Sequence, residues 1–155
     1  MVQWQVIDTL RKVQEELGAA VIQIGHDMGL MAQSVERIGV MYAGTLVELG
    51  STRAVFAEPL HPYTQLLIGS LPSMGEKGKL HGIPGLTPSL LNRVGGDCPF
   101  HPRCPMAMER CRVQEPVLQE VQPDHWVACH LYDGVDHQVA IRPMEASAVM
   151  AGESQ

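Results

Sequence analysis

Apolar residues recur every three or four positions in the first part of the chain, which predicts an amphipathic helix. They are Trp4, Ile7, Leu10, Val13 and Leu17. Gly18 follows as the expected C-terminal cap. The next run, Ala19 to Ile24, is apolar and β-branched without a helical period, which predicts a buried parallel strand covered by that helix. Asp27 is then predicted to cap a short helix from Met28 to about Ser34.

From Arg37 onwards the pattern changes toward strands. The predicted strands are Arg37 to Tyr42 and Thr45 to Gly50, and the predicted helices are Thr52 to Glu58 and Tyr63 to Leu71. Ala43-Gly44 between the two strands predicts a hairpin turn, and Ser51 is the expected cap of the helix that follows. Pro72 stops the last helix. This part of the chain is therefore predicted to be α/β.

Glycine and proline then mark a boundary. Residues 72–96 contain six glycines and three prolines, which predicts a linker. The predicted division is an α/β domain part over 1–71, the linker over 72–96, a cysteine-rich module over 97–132 and a flexible tail over 133–155. Trp126 to Tyr132 is the one strand predicted within the module.

Composition excludes several classes of protein. The chain has 155 residues, of which 45% are hydrophobic and 18% charged, as in a globular domain. Its net charge of −6 argues against binding nucleic acid through a broad basic face. No apolar run approaches the ~20 residues of a membrane span, and no signal segment opens the chain. The sequence therefore predicts a soluble, cytoplasmic protein.

His26 is the first candidate for chemistry. It follows the predicted strand and precedes a helix start, where open α/β sheets bind ligands. There an imidazole can donate a hydrogen bond to a phosphate oxygen beside the helix N-terminus. Position alone leaves a second interpretation open, in which His26 only satisfies the local backbone.

Four cysteines form the second candidate site, and all lie in the last 58 positions. They are Cys98, Cys104, Cys111 and Cys129, with the spacing C-x5-C-x6-C-x17-C. Disulfides are disfavoured without a secretory signal, which leaves unrelated buried thiols or a metal site. Zinc prefers closer cysteine pairs, whereas an iron–sulfur cluster accepts looser spacing. His101 and His130 are interpreted as supporting or surface groups, and Arg103 either offsets thiolate charge or is solvated.

Three sequence segments, taken together, resemble one protein family. They are Val21-Ile-Gln-Ile-Gly-His-Asp-Met-Gly-Leu30, Ile38-Gly-Val-Met-Tyr-Ala-Gly-Thr-Leu-Val-Glu-Leu-Gly50 and Val55-Phe-Ala-Glu-Pro-Leu-His-Pro-Tyr-Thr-Gln-Leu-Leu67. The last contains a His-Pro-Tyr-Thr block, His61 to Thr64. The segments resemble the C-terminal part of the ATP-binding subunit of oligopeptide/dipeptide-type ABC transporters. The resemblance implies the C-terminal half of an ABC-type nucleotide-binding domain followed by a small cysteine-rich extension.

The resemblance also implies roles for the candidate residues. His26 matches the switch histidine, which contacts the γ-phosphate of ATP and helps to hold the attacking water, so it is expected to be both catalytic and cofactor-binding. The four cysteines match those that bind a [4Fe-4S] cluster in some members, with Zn²⁺ as the alternative. The expected cofactor of the complete subunit is ATP with Mg²⁺.

The family also implies an assembly. Its ATP-binding subunits work in pairs beneath transmembrane permease subunits, so the chain is expected to be peripheral to the cytoplasmic face of the inner membrane. No nucleic-acid partner is expected. These residues do not show whether the transported solute is a dipeptide, an oligopeptide, nickel or another small solute.

Three ATPase motifs are missing from the sequence. It contains no G-x-x-x-x-G-K-[ST] phosphate loop, no Leu-Ser-Gly-Gly-Gln signature and no apolar run ending in Asp-Glu. We therefore expect a truncated subunit that does not hydrolyse ATP alone and whose strand Ala19 to Ile24 is an exposed edge. Two alternatives are a stand-alone iron–sulfur or zinc-binding structural or redox module, and a protein that competes with complete subunits for their partners.

Overall fold

The computed structural model describes residues 2–71, 82–86 and 95–134. The helices are α1 (Val2–Leu17), α2 (Met28–Ser34), α3 (Thr52–Ala57) and α4 (Pro62–Gly69). The strands are β1 (Arg37–Tyr42), β2 (Thr45–Ser51), β3 (Gln119–Gln122) and β4 (His125–Val127). Three 3₁₀ turns cover His101–Arg103, Glu109–Arg112 and His130–Tyr132. The chain forms two compact units, Met1–Glu36 (unit 1) and Arg37–Gln155 (unit 2).

Unit 1 contains two helices, and both predictions of a helix are confirmed. α1 is followed by Gly18 at a φ of +61°, a left-handed conformation that glycine adopts without strain. α2 begins after Asp27, whose Oδ1 accepts a hydrogen bond from the Leu30 N–H at 3.0 Å. That contact satisfies one of the backbone donors that a helix start leaves free.

The strand predicted between these helices is absent. Residues 19–24 have no strand conformation, and the side chains of Ile22 and Ile24 are 89% and 93% exposed. A strand needs a neighbour for its N–H and C=O groups. The structure records no hydrogen bond for residues 20–24 within the described part of the chain. The prediction of a buried parallel strand is therefore wrong for this structure.

Unit 2 contains a four-stranded antiparallel sheet in the order β1-β2-β4-β3. The predicted hairpin of β1 and β2 is confirmed. Its turn residues, Ala43 and Gly44, have φ values of +46° and +82°, the sign that tight two-residue hairpins require. Ser51 caps α3 as predicted, and its hydroxyl accepts from the Ala54 N–H at 3.2 Å. The fourth helix also forms, over Pro62–Gly69.

The cysteine-rich segment contributes half of this sheet. β4 pairs with β2 through Glu48↔Val127 and Leu49↔Trp126. The predicted strand Trp126 to Tyr132 is only partly present, because β4 ends at Val127 and His130–Tyr132 form a 3₁₀ segment. β3 is an additional strand that its polar sequence Gln-Glu-Val-Gln did not reveal.

The predicted mixture of helices and strands is thus confirmed at a coarse level, while every strand pair in the described residues is antiparallel. No described helix is long and apolar enough to span a membrane. Much of the predicted linker, 72–96, and most of the predicted tail, 133–155, lie outside the described residues. The division at those boundaries stays a prediction.

Candidate functional site

Unit 2 contains a fully buried glutamate. Glu48 on β2 is 0% exposed. Its Oε1 accepts a hydrogen bond from the Leu60 N–H at 2.8 Å, and its Oε2 accepts one from the His61 N–H at 2.9 Å. The Nε2 of His125 on β4 lies 2.8 Å from Oε1. Both oxygens face donors, so the arrangement fits an ionised carboxylate.

His125 has a defined tautomer in this arrangement. We assign the proton to Nε2, since Glu48 is an acceptor. The other ring nitrogen, Nδ1, is buried and has no hydrogen-bond partner among the described residues. A doubly protonated ring would therefore bury an unpaired N–H, which is costly. The geometry fits a neutral imidazole that donates to a charged glutamate.

The His-Pro-Tyr-Thr block begins α4 and is attached to Glu48. His61 caps the helix, because its Nδ1 accepts a hydrogen bond from the Tyr63 N–H at 3.0 Å. Burial lowers the pKa of His61 to about 4, against the opposing effect of the Glu48 charge. The ring is therefore neutral at neutral pH, as its acceptor role requires.

Tyr132 binds the residue that precedes the His-Pro-Tyr-Thr block. Its hydroxyl donates to the Leu60 carbonyl at 2.9 Å. Leu60 thus has its N–H bound by Glu48 and its C=O bound by Tyr132. We call the group Glu48, Leu60, His61, His125 and Tyr132 the Glu48 junction. It joins the hairpin, the start of α4 and the cysteine-rich segment.

Phe100 brings the same block against the cysteines. Its ring is 0% exposed and lies 5.1 Å from the Tyr42 ring, 5.4 Å from the Tyr63 ring and 5.8 Å from the His61 ring, measured between centroids. Phe100 belongs to the segment 98–104, which we call the cysteine loop. The His-Pro-Tyr-Thr block and the cysteine loop therefore share one aromatic cluster.

The four predicted metal ligands are free thiols that influence one another. Cys98, Cys111 and Cys129 are buried and Cys104 is half-buried. Burial raises the pKa of the Cys104 thiol to about 11 and that of Cys129 to about 12, and the neighbouring thiols add to both shifts. Burial also raises the pKa of Cys98, with a contribution from Cys111. The Cys98 N–H donates to the Cys111 carbonyl at 2.8 Å. The fold therefore brings the four thiols into one electrostatic environment.

The thiols as placed do not form a ready ligand set for a single ion. Within residues 2–71, 82–86 and 95–134, no group of three or more His, Cys, Asp or Glu side chains could hold a metal ion. The nearby histidines make other contacts. His130 binds Asp133 Oδ2 through Nδ1 at 2.7 Å and the Gln114 carbonyl through Nε2 at 2.9 Å. His101 Nδ1 lies 2.9 Å from the Cys98 carbonyl.

Arg103 binds two backbone carbonyls and a tyrosine hydroxyl. Its guanidinium donates to the carbonyls of Pro84 and Ile83 at 2.7 and 3.0 Å and to the Tyr42 hydroxyl at 3.2 Å. Arg103 is therefore not simply a solvated surface arginine, because it has several protein partners.

His26 lies in unit 1. Its side chain is exposed, and it precedes Asp27, the cap of α2. The strand that was expected to place it is absent. Its role as a catalytic and ATP-binding residue stays a prediction.

Comparison with known proteins places these features in one family. The model of the oligopeptide/dipeptide transporter C-terminal region matches residues 47–111. That range contains Glu48, the His-Pro-Tyr-Thr block and three of the four cysteines.

The relatives are ATP-binding proteins. The chain is 40% identical over 130 residues to the dipeptide transport ATP-binding protein DppD of Escherichia coli, covering 83% of this chain and 39% of that protein. It is 39% identical over 135 residues to the oligopeptide transport ATP-binding protein AppF of Bacillus subtilis, covering 84% and 41%. The chain therefore belongs to the oligopeptide/dipeptide ABC transporter ATP-binding family, as its sequence predicted, and spans about two fifths of the length of these relatives. These similarities give no support to a stand-alone metal or redox module.

Sequence reasoning missed most of the Glu48 junction. One signal was available, because Glu48 interrupts the otherwise apolar strand sequence Leu46-Val47-Glu48-Leu49. An acidic residue inside a strand that is covered on both faces needs several donors. The donors themselves, from Leu60, His61 and His125, are up to 77 positions away and could not be inferred from local pattern.

Proposed function

We propose that this chain is the C-terminal part of an ATP-binding subunit that couples ATP binding and hydrolysis to peptide uptake through an ABC transporter. The observation that carries the proposal is the packing of the His-Pro-Tyr-Thr block on the cysteine loop. The two sequence features that resemble the family are separated by the predicted linker, yet Phe100 contacts both His61 and Tyr63. The names of the relatives supply the peptide substrate class and the ATP chemistry.

His26 is the residue we propose for phosphoryl transfer in the complete subunit. Its exposed imidazole can donate to the γ-phosphate or position the attacking water, both of which lower the barrier by stabilising charge. Asp27 is already used as the cap of α2, which favours a structural role for it rather than Mg²⁺ binding. The phosphate loop and the Mg²⁺ ligands come from sequence that this chain does not contain, so we expect no ATPase activity from the chain alone.

The proposed partners follow from the relatives. A transmembrane permease pair and a second ATP-binding subunit would complete the transporter, and the chain would be peripheral at the cytoplasmic face of the membrane. ATP-driven closure of the two subunits would drive the permeases.

Peptide uptake by cells tests this function directly. The His26→Ala change would be made in the gene of the complete subunit, and uptake of a radiolabelled dipeptide and a labelled longer peptide would be measured. We expect uptake of at least one peptide to fall by about 100-fold, the usual loss for a group that moves or positions a proton. Lys12→Ala is the matched control, since Lys12 lies exposed on α1 and forms an ion pair with exposed Asp8. Unchanged uptake of both peptides in His26→Ala would contradict the proposal.

The four cysteines are the proposed ligands of a metal group. Thiols that influence one another are suited to a soft metal, and burial raises the pKa values of Cys98, Cys104 and Cys129, so metal binding would release protons from them. We propose a [4Fe-4S] cluster held by Cys98, Cys104, Cys111 and Cys129. When bound, such a group would cross-link the cysteine-rich segment and supply a one-electron redox centre.

Metal analysis tests that assignment. Iron, acid-labile sulfide and zinc per chain would be measured on anaerobically purified protein, together with the visible spectrum. About four irons and four sulfides per chain are expected, as a full cubane requires. Each Cys→Ser variant should lose the visible absorption, whereas Met108→Leu, a conservative change on the same segment, should keep it. Stoichiometric zinc without colour would replace the cluster by Zn²⁺, and neither metal would remove the metal proposal.

A further inference from the structure

His26 lies at the end of a segment that no recorded hydrogen bond holds. Within the described part of the chain, residues 20–26 make no recorded hydrogen bond through backbone or side chain. All of them except Gln23 are exposed. A group that positions a proton or a water must nevertheless be held within about 0.5 Å of its working place. The contacts of the residues on either side of His26 therefore decide whether its ring can be placed.

The residue after His26 is bound to the start of α2. Asp27 Oδ1 accepts a hydrogen bond from the Leu30 N–H at 3.0 Å, and the Asp27 carbonyl accepts one from the Met31 N–H at 3.0 Å. The first contact is the side-chain cap of the helix and the second is a backbone bond of its first turn. Asp27 is therefore fixed relative to α2.

The residue before His26 lies against the side chain of Met31. This methionine, the buried residue of α2, is 7% exposed. A Cβ on Gly25 would lie 2.5 Å from the Met31 Cε, which is closer than such carbons approach in proteins. The methyl group therefore occupies the space that a side chain at position 25 would need. Methionine suits this contact, because its unbranched, flexible side chain fills irregular gaps.

We propose that Met31 is the positioning residue of His26, because it holds Gly25 through its methyl group and Asp27 through its N–H. The exposed ring would thus be carried by a backbone that is fixed on both sides. The role in phosphoryl transfer rests on the proposed function, whereas the anchoring by Met31 does not.

Nuclear magnetic resonance of the full chain tests the anchoring. We expect a nuclear Overhauser effect between the Met31 methyl and the Gly25 Hα protons, and its absence would overturn the proposal. Backbone order parameters at Gly25 and His26 should exceed those of residues 20–24 and should fall to the level of those residues in Met31→Ala. Met41→Ala is the matched control, because it makes the same change at a methionine that is 61% exposed on β1. Order parameters in Met31→Ala equal to those of the control would overturn the anchoring.

The amide shifts of Leu30 and Met31 would verify that α2 still begins after Asp27 in each variant. If Met31→Ala loses these shifts, Met31→Leu decides, because leucine keeps the helix propensity and the apolar volume but lacks the terminal methyl. The order parameters at Gly25 and His26 should then lie below those of the unsubstituted chain. Equal values would overturn the anchoring.

ATP hydrolysis by the purified complete subunit tests the positioning. In Met31→Ala we expect kcat to fall by about 10-fold or more, since misplacing a reacting group by about 1 Å can cost about 100-fold. KM for ATP should stay the same, because the lost interaction acts in the transition state. In a His26→Ala background, Met31→Ala should cause no further fall, since Met31 acts through His26.

The outcomes of that experiment separate the positioning from the proposed function. A further fall in the His26→Ala background would show a merely structural role for Met31 and overturn the positioning. An unchanged kcat in Met31→Ala, when His26→Ala lowers it, would overturn the positioning alone. If His26→Ala itself leaves kcat unchanged, the proposed role of His26 and its positioning fail together, while the order parameters still decide the anchoring.

Discussion

Unit 1 exposes apolar side chains to solvent, whereas unit 2 buries a glutamate and three histidines. Ile22 and Ile24 are 89% and 93% exposed. On α1, Leu10 and Leu17 are 48% and 73% exposed. In unit 2, Glu48 is 0% exposed and His61 and His125 are each 1% exposed. Apolar residues are buried only where another surface covers them, and polar residues are buried only where donors and acceptors match. At the Glu48 junction the buried donors and acceptors match one another, except that His125 Nδ1 has no hydrogen-bond partner among the described residues.

Of the substitutions predicted here, Glu48→Gln is expected to lower the stability of unit 2 the most. The amide replaces one acceptor oxygen by an NH₂ group, which would face a donor from Leu60, His61 or His125. We expect the free energy of unfolding of unit 2 to fall by about 3 kcal/mol or more, as for other broken buried pairs. Urea unfolding followed by Trp126 fluorescence, in a Trp4→Phe background, measures it.

Glu36→Gln is the control for that substitution, because Glu36 is exposed and lies in unit 1. A surface change of this kind should alter stability by less than about 0.5 kcal/mol. Equal stabilities of the Glu48→Gln and Glu36→Gln chains would show that the junction does not hold unit 2 together.

Acid should weaken unit 2 through His61. Its pKa falls from an ordinary 6.5 to about 4 on folding, mainly because it is buried. The folded state therefore favours the neutral ring, so this contribution is complete above pH 6.5 and is lost as the pH falls toward 4. The shift corresponds to a fall of about 3 kcal/mol in the free energy of unfolding between pH 6.5 and 4. Unfolding by urea at a series of pH values measures it.

The variant His61→Asn tests whether His61 causes the predicted loss of stability in acid. The asparagine oxygen can still accept from the Tyr63 N–H as a helix cap, but the side chain does not titrate. We expect a shallower dependence of stability on pH between 6.5 and 4 in this variant. If the dependence is as steep as in the unsubstituted chain, His61 is not its source.

The smallest predicted effects concern one helix cap in each unit. Asp27→Ala in unit 1 and Ser51→Ala in unit 2 each remove a side chain that accepts from a helix-start N–H. A lost cap usually costs about 1 kcal/mol. We expect Ser51→Ala to shift the Trp126 unfolding midpoint, because α3 buries Val55 at 0% exposure. Asp27→Ala should instead lower the helix signal in circular dichroism, and a reversal of the two results would contradict the comparison.

Local pattern predicted the helices and the hairpin well, because each depends on neighbours in sequence. Asp27 and Ser51 were recognisable as caps, and Ala43-Gly44 as a turn. The strand over residues 19–24 failed because apolar character indicates burial but not whether a covering surface exists. The sequence also placed the four cysteines together in one segment.

Long-range contacts were the part that the sequence could not supply. The pairing of β2 with β4 joins Glu48 to Val127, and no local period encodes it. The binding of Arg103 to the carbonyls of Ile83 and Pro84 was equally invisible, since backbone carbonyls occur at every residue. Glu48 itself was visible as an acid in an apolar strand, but its donors were not.

Hydrogen exchange of individual amides tests the contrast between the two units most directly. Amides that donate to buried acceptors exchange only when the surrounding structure opens, whereas unpaired, exposed amides exchange freely. The account predicts strong protection of the Leu60 and His61 amides, which donate to Glu48, and nearly none for residues 20–24. Protection of residues 20–24 equal to that of Leu60 and His61, or loss of protection at Leu60 and His61, would contradict it.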